Sequence, residues 1–169
     1  MKTNITLIGM PGAGKSTVGI ILAKNLGMGF IDTDVLIQTR ARKTLQQIMD
    51  TCGHLGLRAV EEREILDLRV AHHVIATGGS AAYSPAAMDH LGRISTIVFL
   101  QAGFDEIKRR IHNFETRGIA KDKNQSFEAL FNERQVLYRQ YAEVTIDCNR
   151  LDQEQAVLQI AAALPSYGF

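Results

Sequence analysis

Short apolar runs alternate with longer stretches of helical periodicity along this 169-residue chain. Residues 5–9 (ITLIG) form the first run, and residues 18–26 then place apolar side chains at helical spacing and close on Gly27. A brief run follows at 29–31. The next stretch predicted to be helical covers about 54–72, where Leu57, Val60, Ile65 and Leu68 fall near helical spacing and leave charges on the other face. Residues 74–77 (VIAT) read as a third strand that ends in Gly78-Gly79. Residues 94–100 (ISTIVFL) are rich in apolar and β-branched side chains, as a strand buried on both faces should be. A helix over about 104–111, a polar stretch to about 125, a helix over 127–141, a short VTID run and an amphipathic helix over 153–164 complete the pattern.

Strands alternating with helices predict an α/β fold of three layers, with a mainly parallel five-stranded sheet, helices on both faces and right-handed crossovers. Ligands of such sheets gather at the carboxyl ends of the strands, here Gly9, Asp32, Thr77 and Leu100. No internal repeat, low-complexity tract or linker marks a boundary, so one domain over 1–169 is expected.

Composition removes several function classes. With 46% hydrophobic and 22% charged residues, the chain has the balance of a globular protein. Nineteen Lys and Arg against eighteen Asp and Glu leave a net charge of +1, which argues against a nucleic-acid or anionic-membrane partner. Cys52 and Cys148 lie far apart with no CxxC, so neither a disulfide framework nor a zinc site is indicated. The five histidines (54, 72, 73, 90 and 112) show no paired-ligand spacing. No apolar run approaches the ~18 residues of a membrane span, and the first apolar stretch is too short for a secretory signal. A soluble, cytoplasmic, monomeric protein is expected.

Gly9-Met10-Pro11-Gly12-Ala13-Gly14-Lys15-Ser16, with Thr17 next, satisfies GxxxxGK[ST] between a strand and a helix, the context the motif requires. Glycines let successive backbone N–H groups curl toward phosphate oxygens, and the new helix adds its positive end. Lys15 is a flexible point charge for the transferring oxygens. Ser16 offers a hydroxyl to Mg²⁺, which takes few protein ligands. Gly12, Ala13, Gly14, Lys15, Ser16 and Thr17 are therefore the candidate residues for a nucleoside triphosphate, against the alternative of a tight glycine turn. The motif alone does not separate a kinase from a switch GTPase or a motor ATPase.

Asp32-Thr33-Asp34 ends the second run. Two carboxylates one residue apart at a strand end point to opposite sides, so one can serve the metal beside Ser16 while the other faces an acceptor hydroxyl. The competing reading makes Asp34 a helix cap, because an apolar helical stretch follows it.

In order and spacing, GMPGAGKST, FIDTDVLI, Arg58-Ala59-Val60-Glu61, ATGGS, ERQVLYRQYA and TIDCNR resemble shikimate kinase, a family of small P-loop phosphotransferases. The resemblance runs from about residue 5 to the last helix. It implies an ATP-dependent kinase acting with Mg²⁺ on shikimate, a small acceptor that carries a carboxylate. It makes Asp34 the group that meets the acceptor hydroxyls and places Asp32 with Ser16 at the Mg²⁺. It gives the acceptor carboxylate to Arg58, with Glu61 holding that arginine one helical turn on, and to Arg134. Gly78 and Gly79 would approach the acceptor, and Arg117 would close over the phosphoryl group from a mobile lid over about 112–125. Arg110 and Arg150 would flank the adenine.

Three departures fall on the acceptor side. Gly118-Ile119-Ala120 stands where the family has Pro-Leu-Leu, which predicts a looser lid. Leu57 replaces an aromatic before Arg58, and Ser80 replaces the third glycine of the turn. These keep open another small hydroxy acid or amino acid, such as homoserine, as acceptor. A regulatory protein that binds ATP and transfers nothing is a further alternative, but it has no use for an acceptor-facing carboxylate opposite two arginines.

Overall fold

The computed structural model describes residues 2–111 and 118–164. Five strands, β1 (Asn4–Ile8), β2 (Gly29–Asp32), β3 (His73–Ala76), β4 (Ser95–Gln101) and β5 (Val144–Asp147), form one sheet in the order β2-β3-β1-β4-β5. Every pairing is parallel, and β1 lies at the centre with Leu7 opposite Ala76 on one side and Val98 on the other. All five residues of β1 are buried. Because successive side chains point to opposite faces, both faces of the sheet are covered.

Among the described residues seven helices connect and cover the strands: α1 (Lys15–Leu26), α2 (Thr33–Ala41), α3 (Leu45–Leu66), α4 (Pro85–Ile94), α5 (Phe104–Arg110), α6 (Phe127–Tyr141) and α7 (Gln153–Ala163). The α1, α5, α6 and α7 segments follow the predicted pattern. The stretch expected at 54–72 instead begins at Leu45 and ends at Leu66. A capping box between Thr44 and Gln47 starts it, and Gly53 (φ 72°) breaks it into two helical halves. Its C-terminal end falls early because residues beyond Leu66 must turn back into β3, through His72 at φ 57°. The pattern gave no helix at Pro85–Ile94, although Ser84 caps it and proline opens it. Among the described residues no helix is long and apolar enough to cross a membrane.

Two apolar clusters form. The large one fills the sheet and its covering helices. The small one joins Ile37 of α2, Ile48 and Leu57 of the two halves of α3, and Ala120. It sits beyond the carboxyl ends of the strands and gives the ligand side a floor of its own.

A buried polar seam ties the opposite end of the sheet. Asn4 is fully buried; its amide donates to the carbonyls of Val70 (2.9 Å) and Ile94 (3.0 Å), and its oxygen accepts from His73 N (2.9 Å). One side chain thus fixes where β3 begins and where α4 hands over to β4. Asn4→Ala removes three hydrogen bonds to part-buried backbone groups, so we expect a loss of about 2 kcal/mol in urea unfolding, with kinetics unchanged because the site is at the other end. A loss under about 0.5 kcal/mol would contradict this role, being the size of an ordinary surface change.

Candidate active site

The loop between β1 and α1 is held open by its glycines: Gly9, Gly12 and Gly14 all have positive φ (146°, 84° and 97°), and Gly14 is the residue before the helix. No side chain caps α1, so its first N–H groups remain directed at the loop's hollow. Lys15 is buried, and its ammonium donates to the carbonyls of Gly9 (2.8 Å) and Met10 (2.9 Å), folding the charge across the loop. A cleft of about 540 Å³ opens over these residues, lined by Gly12, Gly14, Lys15, Ser16 and Thr17. Ala13 is buried behind them and lines a smaller adjoining cavity with Arg110, Leu151 and Asp152.

Asp32 settles the capping question. It is Asp32, not Asp34, that caps α2: its Oδ1 accepts from the N–H of Asp34 (3.0 Å) and of Val35 (3.2 Å). Its Oδ2 accepts from the Ser16 hydroxyl (2.5 Å). A strand-end carboxylate is nearest the free N–H groups of the helix that follows, whereas Asp34 already lies in the first turn. Among the described residues no three of His, Cys, Asp and Glu gather at one point. Mg²⁺ takes hard oxygen donors, usually one or two from protein beside phosphate and water. Ser16 and Asp32 are such donors.

Asp34 lines the cleft over the phosphate loop and also a second, narrow pocket of about 40 Å³, bounded by Glu61, Gly78, Gly79, Ser80, Ala120 and Arg134 among others. Thr33, fully buried between the two aspartates, accepts from Gly78 N (3.1 Å) and so fixes the glycine turn against α2. A Cβ on Gly78 would collide with the carboxylates of both Asp34 and Glu61. Gly79 is wedged between Pro11 and Arg134, and its carbonyl accepts from the Tyr138 hydroxyl (2.5 Å) on α6.

Glu61 is 3% exposed. Burial, and then the nearby charge of Asp34, push its carboxyl up to about 7, against the opposing pull of the Ser80 hydroxyl, Arg134 and Lys15. The expectation that Glu61 holds Arg58 is corrected here. Ser80, on the turn after Gly79, donates to Glu61 Oε2, and Oε1 has no hydrogen-bond partner. Ser80 adds a donor to the turn where a third glycine would have none, so the carboxylate turns to it.

The two predicted arginines lie side by side. Arg134 is 1% exposed, and its Nη2 donates to the carbonyl of Ala120 (2.7 Å). Arg58 reaches the same carbonyl at 3.5 Å and packs its guanidinium over the Tyr83 ring. Burial lowers the Arg58 pKa. Gly118, where a looser lid was expected, is packed instead. Its φ is 68°, its N–H donates to Gln46 (3.2 Å), and a Cβ there would stand 2.7 Å from Leu45 Cβ. Glycine is used here because the chain lies against the start of α3 in a conformation that other residues avoid.

Arg110 lines the cleft over the phosphate loop, bound to Glu106 (2.5 Å). Arg150 is exposed and lines neither the cleft nor the narrow pocket; its neighbour Asn149 accepts from Gly103 N (2.6 Å) and joins the end of β5 to α5. Arg117 and residues 112–116 of the expected lid lie outside the described residues. Sequence reasoning missed Arg109, Asp152 and Gln153 in the cleft wall, and Tyr83 and Tyr138 behind the narrow pocket. Of these only Tyr138 lies in a quoted motif, ERQVLYRQYA; the others arrive by the packing of distant elements.

The comparisons with known proteins agree with this geometry. The shikimate kinase family model matches residues 11–165. The shikimate kinase of Mycobacterium avium (strain 104) is 36% identical over 98% of this chain and 96% of its own length. That of Paracidovorax citrulli is 37% identical over 94% of this chain and 89% of its own. Among solved structures, shikimate kinase from Acinetobacter baumannii in complex with shikimate superposes with a TM-score of 0.90 at 30% identity, covering 98% of this chain and 94% of that one. With the phosphate loop, the narrow pocket and the sheet order alike in place, this chain belongs to the shikimate kinase family.

Proposed function

We propose that the chain transfers the γ-phosphoryl group of ATP to the 3-hydroxyl of shikimate, with Mg²⁺ held beside Ser16 and Asp32. The observation that carries this reading is the place of Asp34, in the wall shared by the nucleotide cleft and the narrow pocket. A carboxylate there can orient an acceptor hydroxyl toward the terminal phosphate on its other side.

At the far end of the pocket, the acceptor carboxylate would take the place of the Ala120 carbonyl on Arg134 and Arg58. A carboxylate offers two oxygens to paired guanidiniums and forms shorter, charge-assisted bonds than a neutral carbonyl does. Since the pocket holds only about 40 Å³ with that carbonyl in place, the segment 118–120 must retreat for the acceptor to enter. Lys15 turns from the loop carbonyls to the transferring oxygens. Arg117, outside the described residues, is assigned to the same oxygens by the family pattern. When bound, Mg²⁺ neutralises phosphate charge and orients the terminal phosphates. All of these groups come from one chain, so the reading needs no second subunit.

Asp34→Asn keeps the shape of the wall and removes its charge. We expect kcat to fall by about 10² or more, with the KM for ATP within about two-fold of the parent in a coupled ADP-release assay. A collapse of ATP affinity with little change in kcat would make Asp34 a nucleotide ligand instead.

Glu61 sets a pH dependence of stability. Its carboxyl titrates near 7 in the folded chain, above the ordinary value of 4.5. Its folded form therefore binds the proton more tightly than the unfolded chain does. The stabilising contribution is complete below pH 4.5 and fades as pH rises through about 7. Between pH 5 and 8 the parent should lose urea resistance relative to Glu61→Gln, which does not titrate. Parallel pH profiles for the two proteins would contradict this.

A further inference from the structure

Leu57 leaves Arg58 without the aromatic neighbour expected before it, yet the guanidinium is not unsupported. Tyr83, at the end of the short 3₁₀ turn Ala81–Tyr83 that follows the glycine turn, lies beneath it with the ring centroid 3.5 Å from Arg58 Cζ. The same ring stands 5.5 Å from Arg134 Cζ. Both distances are within the reach of a cation–π contact. Tyr83 is itself held: its backbone N–H donates to Ser80 O (3.0 Å), its hydroxyl donates to Glu133 on α6, and the other oxygen of Glu133 accepts from Gln125 (3.1 Å).

Little else fixes Arg58. Among the described residues its Nε is buried without a partner, its one hydrogen bond is the 3.5 Å contact to Ala120, and no carboxylate lies within ion-pair distance. Glu61, which would otherwise hold it, is engaged by Ser80. A long side chain with four rotatable bonds loses much entropy when it is placed, and a flat ring under a flat cation limits the choices in advance.

We propose that Tyr83 is the positioning residue of the acceptor-carboxylate clamp, its ring supporting the Arg58 guanidinium beside that of Arg134 in place of the aromatic absent at Leu57. Tyr83 does not line the narrow pocket; it acts through the arginines and touches no reacting atom. This inference rests on the reading of Arg58 and Arg134 given above. Leu57, in turn, is freed for the small core with Ile37, Ile48 and Ala120.

The test is a kinetic double-mutant cycle with shikimate and ATP on the full chain. Tyr83→Leu should raise the acceptor KM about ten-fold, with kcat and the KM for ATP within about two-fold, whereas Tyr83→Phe, which keeps the ring, should stay within about two-fold throughout. Tyr83→Met makes the same comparison should leucine unsettle the turn. In an Arg58→Ala background the effect of removing the ring should vanish, because the group it supports is gone. An acceptor KM unchanged in Tyr83→Leu and Tyr83→Met, while Arg58→Ala raises it, overturns the inference and leaves the functional reading standing. An undiminished ring effect in the Arg58→Ala background also overturns it. If Arg58→Ala itself leaves the acceptor KM unchanged, the clamp reading fails and the inference falls with it.

Discussion

The ligand side of this sheet depends on the carboxylate of Asp32. One oxygen accepts two backbone N–H groups and so begins α2, while the other accepts the hydroxyl of Ser16 in the first turn of α1. A single side chain thereby refers the acceptor side of the site to the phosphate side. The next two residues extend the link: Thr33 holds the glycine turn through Gly78 N, and Asp34 faces both clefts. In the proposed function, Asp32 at the end of β2 and Thr33 and Asp34 in the first turn of α2 set the distance between the group that carries a phosphate and the group that receives it. Phosphoryl transfer leaves little covalent work to the protein, so that distance is much of what the fold contributes.

The narrow pocket is also an electrostatic arrangement. Arg134 is almost wholly buried, and so is Glu61, with Asp34 and Lys15 close enough to shift its titration. A buried charge that lacks a partner is costly, and here the partners are incomplete: Arg134 Nε and Glu61 Oε1 are unsatisfied. Such atoms fit a site that completes its hydrogen bonds with an acceptor bearing both a carboxylate and hydroxyls. The Ala120 carbonyl, shared by the two guanidiniums, satisfies part of that demand with the chain's own backbone.

What could be read in advance was what is local. The phosphate loop, β1 and α1 declare themselves within some twenty residues, since the turn, the lysine and the helix start are consecutive in the chain. The parallel five-stranded sheet also followed in kind, because apolar runs separated by helices leave few alternatives, whereas the order of its strands comes from the structure. The α4 helix escaped because Ser84-Pro85 resembles a turn and only Ala87, Met88 and Leu91 are buried along it. The partners of Arg58 and Glu61 escaped for a deeper reason. Ser80 and Tyr83 lie about twenty residues further along the chain, on a turn whose position is set by β3 and by Thr33. Substitutions at Leu57, Ser80 and Gly118 looked like losses in the sequence. In the structure they are a changed set of contacts, with Tyr83 supplying an aromatic, Ser80 a donor and Gly118 a close packing point.

In the proposed function, the shared wall at Asp34 directs the phosphoryl group to a carboxylate-bearing alcohol and not to water. Phosphorus NMR of the wild-type chain incubated with Mg²⁺, ATP and shikimate tests this most directly. The expected spectrum shows ADP and, in equal amount, a phosphomonoester resonance coupled to the C–H proton of a secondary phosphate ester. ADP with inorganic phosphate and no monoester, or ATP left intact, would contradict it.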